Sequence, residues 1–326
     1  MAKGYFVVVD IGATKIRVAL SDSAGQFIKE VTVSTPQNSS KDVSNKLIEI
    51  IHSFRDLYSG KASLLGIGIG SIGPLDAERG VILNTPNLEV KNIPVVKPLR
   101  DEFNLPVSFL NDCTAAVIGE KFLGAGKGVK NLVYITLSTG IGGGVYVDDH
   151  LLMGKDGNAA EVGHFTVDSV MNLLCNCGGV GHWEAYCSGK NIPDFVRYKI
   201  GEFSDDAVQR SYLNRACGGD LEKITTELFF EGVKMHDEVC SRILDEMNEL
   251  NARGFANVIN AYDPELITVG GAIMLNNYEY ILEPIKERVR KYAINRVPKI
   301  IVTPLGENIV LLGALTSIMQ KIGFSP

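Results

Sequence analysis

Two short runs in this 326-residue chain carry the residue types that hold an anion. In Asp10-Ile-Gly-Ala-Thr-Lys15, Gly12 lets backbone N–H groups approach a phosphate without a Cβ in the way. Thr14 and Lys15 add donors beside Ala13, and Asp10 can hold a hydrated Mg2+. Taken alone, the run also reads as a plain hairpin with a solvated turn. The stretch from Thr136 to Gly144 repeats the device, with Thr139, Gly140, Gly142 and two further glycines forming a second turn open to phosphate oxygens. One such hairpin per domain, about 125 residues apart, is the signature of an actin-like ATPase fold that clamps a nucleotide between two lobes. Asp112 supplies a third kind of chemistry. It follows the buried run Val107–Asn111, and open α/β sheets bind ligands at the carboxyl ends of their strands. A carboxylate there can accept a proton from a hydroxyl attacking a γ-phosphate. The same residue also fits as the N-cap of a helix over Ala115–Leu123.

The elements around these runs alternate. Tyr5–Val9, Ile16–Leu20, Phe27–Val33, Leu64–Ile69, Val81–Leu83 and Val107–Asn111 read as strands. Apolar positions at helical spacing predict a helix over Ser40–Tyr58. Leu132–Leu137 is a strand, Ser138–Gly143 a turn, and Gly144–Val147 the returning strand. Residues 190–262 are mostly helical, with one helix over His236–Tyr262 that Pro264 stops. A strand at Leu266–Val269, a Gly270-Gly271 turn, a helix at Tyr280–Tyr292, a strand at Ile300–Thr303 and a helix at Ile309–Ile322 complete the chain. The pattern predicts an α/β protein of two domains, residues 1–112 plus 308–326 and residues 113–307, with a hinge near Cys113–Thr114.

The ordered set of motifs resembles the ROK sugar kinases and repressors. Asp10–Lys15 is similar to the first phosphate motif of that family, with Ala13 where glycine is usual. Asn111-Asp112-Cys-Thr-Ala-Ala116 resembles its catalytic-base segment, and Leu137–Gly144 its second phosphate motif. Glu161-Val-Gly-His164 and Cys175-Asn-Cys-Gly-Gly-Val-Gly-His-Trp-Glu184 resemble the family signature, and Asn260–Gly271 the closing nucleotide segment. The resemblance implies the two-lobed, ribonuclease-H-like ATPase fold and a Mg-ATP-dependent hexokinase acting on the 6-hydroxyl of glucose and related hexoses, with Asp112 as base. It implies ATP and Mg2+ at Asp10, Gly12, Ala13, Thr14, Lys15, Thr139, Gly140, Gly142, Gly270 and Gly271. It implies a sugar held by Ser71, Asn84, Asn87, Asn111, Asp112, Glu161, His164 and Glu184; of these, Asn111, Glu161, His164 and Glu184 supply the mixed donors and acceptors that vicinal hydroxyls need. His164, Cys175, Cys177 and His182 fall at the zinc positions of the family, with His182 where cysteine is usual. An S2N2 tetrahedron is one reading and buried reduced thiols the other.

Several classes are excluded or disfavoured. At 45% hydrophobic and 21% charged the chain is neither disordered nor fibrous. A net charge of −6 gives no footprint for nucleic acid or an anionic membrane surface. The longest uncharged stretch, Asn131–Val147, is too polar to span a bilayer. Gly68-x-Gly70-x-x-Gly73 matches a dinucleotide fingerprint, but Pro74 follows where a helix should start. The pair Glu161-x-x-His164 and Glu49-x-x-His52 does not make a di-iron site, because glycines surround the first; His52 belongs on a helix surface. Cys113, Cys187, Cys217 and Cys240 are bystanders. A protein-folding or filament ATPase on the same fold needs no hydroxyl readers. A sugar-responsive repressor of the resembled family carries a helix-turn-helix ahead of the first phosphate motif, where only nine residues precede Asp10. The expected setting is the cytoplasm, with no nucleic-acid or membrane partner; homodimerisation is left open.

Overall fold

The computed structural model describes residues 3–58, 62–85 and 88–324. The uninterrupted apolar run Tyr5–Val9 marks a strand covered on both faces, and it lies at the centre of the first sheet. That sheet contains β1 (Lys3–Ile11), β2 (Lys15–Asp22), β3 (Phe27–Ser34) and β4 (Ala62–Ser71). A small ribbon follows, of β5 (Leu75–Asp76), β6 (Val81–Ile82) and β7 (Ile93–Pro94), before β8 (Val107–Asn111) closes the first sheet. The strand order is β3-β2-β1-β4-β8, with β1, β4 and β8 parallel. Alternation along β1 divides the core. Val7, Val9 and Ile11 join the cluster of Val43, Leu47 and Ile51 from the Asp42–His52 helix. Phe6 and Val8 pack with Leu311, Leu315 and Ile318 of the Ile309–Lys321 helix.

Glycines in β4 explain how that last helix reaches the sheet. A Cβ on Gly68 would stand 2.1 Å from the Ala314 carbonyl oxygen, and one on Gly70 would stand 2.5 Å from Val310. The glycines that mimic a dinucleotide fingerprint are therefore spacers for backbone-close packing.

The second sheet repeats the first. Its strands are β9 (Leu132–Leu137), β10 (Ile141–Val147), β11 (His150–Leu151), β12 (Leu266–Gly270) and β13 (Lys299–Val302), in the order β11-β10-β9-β12-β13. In each sheet three consecutive strands lie side by side and two later strands extend the opposite edge. The chain packs as two compact units, Met1–Tyr134 with Gly144–Ala160 and Thr303–Pro326, and Ile135–Gly143 with Glu161–Val302. Among the described residues no helix is long and apolar enough to cross a membrane.

Four boundaries differ from those the sequence predicts. The Ser40–Tyr58 helix is two, Asp42–His52 and Arg55–Tyr58, because the Ser53 hydroxyl turns back to the Ile50 carbonyl at 2.6 Å while Phe54 swings into the core. The helix after β8 begins at Asp112 rather than Ala115. The glycine run 142–144 is strand, so the second turn contracts to Ser138–Gly140; a Cβ on Gly144 would meet the Cys113 carbonyl oxygen at 2.1 Å. The helix placed at Tyr280–Tyr292 spans Ala272–Arg288, starting directly after Gly271 and kinked at Asn277.

Candidate active site

In the first unit the candidate residues collect where three parallel strands end. The register sets Asp10 beside Gly70, Ile11 beside Ser71, and Ser71 beside Asn111. This is the carboxyl edge at which α/β sheets hold ligands. Asn111 leaves β8 and caps the next helix, its Oδ1 accepting from the Cys113 N–H at 2.9 Å and the Thr114 N–H at 3.3 Å. The cap reading for Asp112 is therefore wrong: Asn111 fills that role, and its Nδ2 is the group left for a ligand. Asp112 opens the helix with its Oδ1 accepting from the Cys113 N–H at 2.8 Å.

Burial raises the pKa of Asp112, and the Cys113 N–H offsets part of that rise. Asp10 is raised to about 7, chiefly by burial and next by the negative charge of Asp112, against the pull of Arg17 and Lys15. Two carboxylates in electrostatic reach, both pushed toward neutrality, suit a site where a divalent cation or a transferred proton supplies the missing positive charge.

The first turn is held by its own sheet. The Gly12 N–H donates to the Lys15 carbonyl at 2.9 Å, so Gly12 closes the hairpin rather than presenting its amide. The Thr35 hydroxyl donates to the Gly12 carbonyl at 2.8 Å, and the Thr35 N–H to the Thr14 carbonyl at 3.0 Å. Among the described residues, the Ala13 and Thr14 N–H groups have no acceptor, which leaves both to an anion. Thr14 and Lys15 are exposed. Ser71 is buried with its hydroxyl donating to the Ile72 carbonyl at 3.1 Å, and Asn84 is exposed beyond β6. Asn87 lies outside the described residues.

The second unit builds its part from loops. Ser138, Thr139 and Gly140 turn between β9 and β10, and Gly142 sits within β10. The Gly189 N–H donates to the Ser138 carbonyl at 2.7 Å and the Lys190 N–H to the Thr139 carbonyl at 3.1 Å. The Ile141 N–H donates to Glu184 Oε2 at 2.8 Å. Gly270 ends β12, and Gly271 follows at φ 87°, where a Cβ would lie 2.4 Å from the Leu137 carbonyl oxygen. The closing glycine pair therefore packs against the end of β9 beside the turn.

His164, Cys175, Cys177 and His182 come together, their ligand atoms all within 4.8 Å of one another. Cys175 Sγ is 3.7 Å from His164 Nδ1 and Cys177 Sγ is 3.2 Å from His182 Nδ1. Tetrahedral zinc with bonds of about 2.0–2.3 Å separates its ligands by roughly 3.3–3.8 Å, so these residues fit that ion. With no ion, burial pushes the Cys175 thiol up to about 12 and lowers the pKa of His182. His164 Nε2 is 3.9 Å from the exposed Glu161 carboxylate, so its two ring nitrogens face different partners, Nδ1 the cluster and Nε2 Glu161. His52 is exposed beside Glu102, away from this cluster in sequence and unit.

Sequence reasoning missed Thr35, the 189–190 amides and Asp168. The Asp168 Oδ2 accepts N–H bonds from Val170, Met171 and Asn172 and the Tyr186 hydroxyl at 2.9 Å, shaping the loop that carries Cys175. An Asp ahead of a polar turn was the available signal.

The ROK family profile matches residues 6–321. A glucokinase from Pyrobaculum calidifontis is 34% identical over 314 residues, 96% of this chain and 94% of that protein. A xylose repressor from Caldicellulosiruptor bescii is 28% identical, over 98% of this chain and 79% of the repressor. The crystal structure of a ROK family glucokinase from Streptomyces griseus in complex with glucose and AMPPNP superposes with a TM-score of 0.77 at 29% identity, covering 96% of this chain and 98% of that one. Family profile, full-length relatives and the repeated sheet order agree: the chain belongs to the ROK family and has its two-lobed actin-like ATPase fold.

Proposed function

We propose that this chain is a sugar kinase, a phosphotransferase that moves the γ-phosphoryl of ATP to the 6-hydroxyl of glucose and related hexoses. The observation that carries the reading is the edge formed by β1, β4 and β8, where Asp10, Ser71, Asn111 and Asp112 converge around two carboxylates of raised pKa. The glucokinase relative and the glucose–AMPPNP complex of the Streptomyces griseus enzyme support it.

Asp112 takes the proton of the attacking hydroxyl, and its raised pKa brings it nearer the operating pH of a general base. Asp10 holds the hydrated cation, and the N–H groups of Ala13 and Thr14 with the Thr139 hydroxyl bind phosphate oxygens. Mg2+, when bound, neutralises charge on the phosphates. The adenosine lies near Gly270 and Gly271. Asn111 Nδ2, Glu161, His164 Nε2 and Glu184 orient the sugar hydroxyls, and Ser71, Asn84 and Asn87 complete that set. His164, Cys175, Cys177 and His182 would hold a structural zinc that braces the loop before Glu184. The protein works in the cytoplasm, without nucleic acid.

A coupled assay across a hexose panel, with ATP and Mg2+, tests the reading. Turnover with glucose supports it; no turnover with any hexose, together with a shift of DNA at low salt, favours a repressor.

A further inference from the structure

We propose that Glu184, assigned above to the sugar, is also a positioning residue for the second phosphate turn, so that one carboxylate links sugar occupancy to the shape of the nucleotide turn. The proposal rests on the sugar-kinase reading for the identity of the two ligands. The contact itself stands on geometry within the second unit.

The carboxylate divides its two oxygens. Oε2 accepts the N–H of Ile141, the residue directly after the turn, at 2.8 Å. Oε1 faces Cys175 Sγ at 3.9 Å and keeps acceptor capacity for a hydroxyl. The turn is shaped to receive Oε2: a Cβ on Gly140 would stand 2.7 Å from that oxygen, so a side chain at 140 would push the carboxylate off the Ile141 amide. The backbone of Glu184 is itself fixed, since Asn191 Nδ2 donates to its carbonyl at 3.0 Å.

The segment that follows holds the same turn from another side. The Glu184–Cys187 helix leads to Gly189 and Lys190, whose N–H groups donate to the Ser138 and Thr139 carbonyls. Residues 184–190 thus fasten three successive peptide units of the turn, two by carbonyl and one by amide. A sugar hydroxyl donating to Oε1 restricts rotation of the carboxylate and with it the Ile141 amide. The ordering entropy is then lost once for two ligands, and each ligand strengthens the other by the same factor.

Three variants and two readouts test this. Binding of AMPPNP with Mg2+ is titrated calorimetrically without sugar and again with glucose, and amide exchange is followed over residues 138–142. Glu184→Ala should weaken AMPPNP binding without sugar by about 3–10-fold, the range of one lost hydrogen bond, and speed exchange over that segment. Glu184→Gln keeps an acceptor for the Ile141 N–H and should restore both, while its glucose affinity stays low. Gly140→Ala, which displaces the carboxylate without removing it, should reproduce the faster exchange and decides the matter if Glu184→Ala does not fold. Wild-type AMPPNP affinity and unchanged exchange in Glu184→Ala, with only glucose binding lost, would overturn the proposal. If the wild-type protein phosphorylates no hexose, the kinase reading fails, yet the exchange comparison still decides whether Glu184 holds the turn.

Discussion

The two glycine turns stand at equivalent places in two sheets of matching order, and they are held by different means. Gly12–Lys15 is closed by its own backbone and by Thr35, which lies at the end of the neighbouring strand pair. Ser138–Gly140 is fastened by a carboxylate and two amides some fifty residues further along the chain. The first turn inherits its shape from regular β-structure. The second takes its shape from a loop region that also carries the Cys/His cluster and three of the candidate sugar ligands. A turn set by a sheet is fixed whatever the ligand state, whereas a turn set by side chains can respond to what those side chains bind.

The largest effect should come from the first unit, if the proton transfer lies there. Asp112→Asn keeps size and removes the proton acceptor. Its kcat should fall by about 10²–10⁴, with little change in sugar KM, as for an interaction made in the transition state. Because Asn111 already caps the helix, the fold should be unaffected, and thermal melting checks this. A variant with wild-type kcat removes the chemistry from this edge and leaves the two units alike.

In the second unit, elemental analysis of protein purified without chelator should find about one zinc per chain. Chelation should then cost about 3 kcal/mol of stability, the mass-action loss at a few hundred times Kd. Exchange over residues 173–187 should rise while residues 12–15 stay unchanged. Equal responses at both turns would break the contrast between them.

Thr35→Val is the matching test on the first turn. It leaves the Gly12 carbonyl without its 2.8 Å donor and should cost about 1–3 kcal/mol in chemical denaturation. Nucleotide affinity should weaken while glucose binding does not.

The last expected effect is a pH dependence of stability. Asp10 has its pKa raised to about 7 from 3.8, so the folded protein holds a proton that the unfolded chain releases. Its contribution to stability is fully present below about pH 4 and is lost as pH rises through 7. In cation-free protein, Asp10→Asn should raise Tm at pH 8, where the wild-type carboxylate is buried and charged, and leave it nearly unchanged at pH 4. Asp112→Asn should narrow that pH window, because the charge of Asp112 contributes to the shift.

Much of the first unit was legible because its site lies where strands end. Tyr5–Val9 and Val107–Asn111 are short apolar runs, and Asp10 and Asp112 follow them directly. The helix cap was misread by one residue. Asn and Asp cap almost equally well, and only the backbone at Asn111, extended at ψ 146°, shows which of the two stands outside the helix. The second turn was read three residues too long, because a glycine run looks the same whether it bends or lets a neighbouring carbonyl approach. Thr35 and Lys190 carried no signal. Lys190 acts through its backbone N–H, which every residue possesses, and the Thr35 hydroxyl reaches a carbonyl twenty-three residues away in sequence.

From the order and spacing of its residues, the chain by itself determined the α/β alternation, the repeated hairpin device and the chemical types at the site. Those follow from periodicity and from side-chain chemistry, which are local properties. Tertiary structure alone decided that Asn111 rather than Asp112 caps the helix, that β4 glycines are packing spacers, and that the four zinc-type ligands meet. It also decided that Glu184 reaches the Ile141 amide across forty-three residues of chain. Such contacts depend on where separate elements are brought to pack, and sequence spacing carries no record of that.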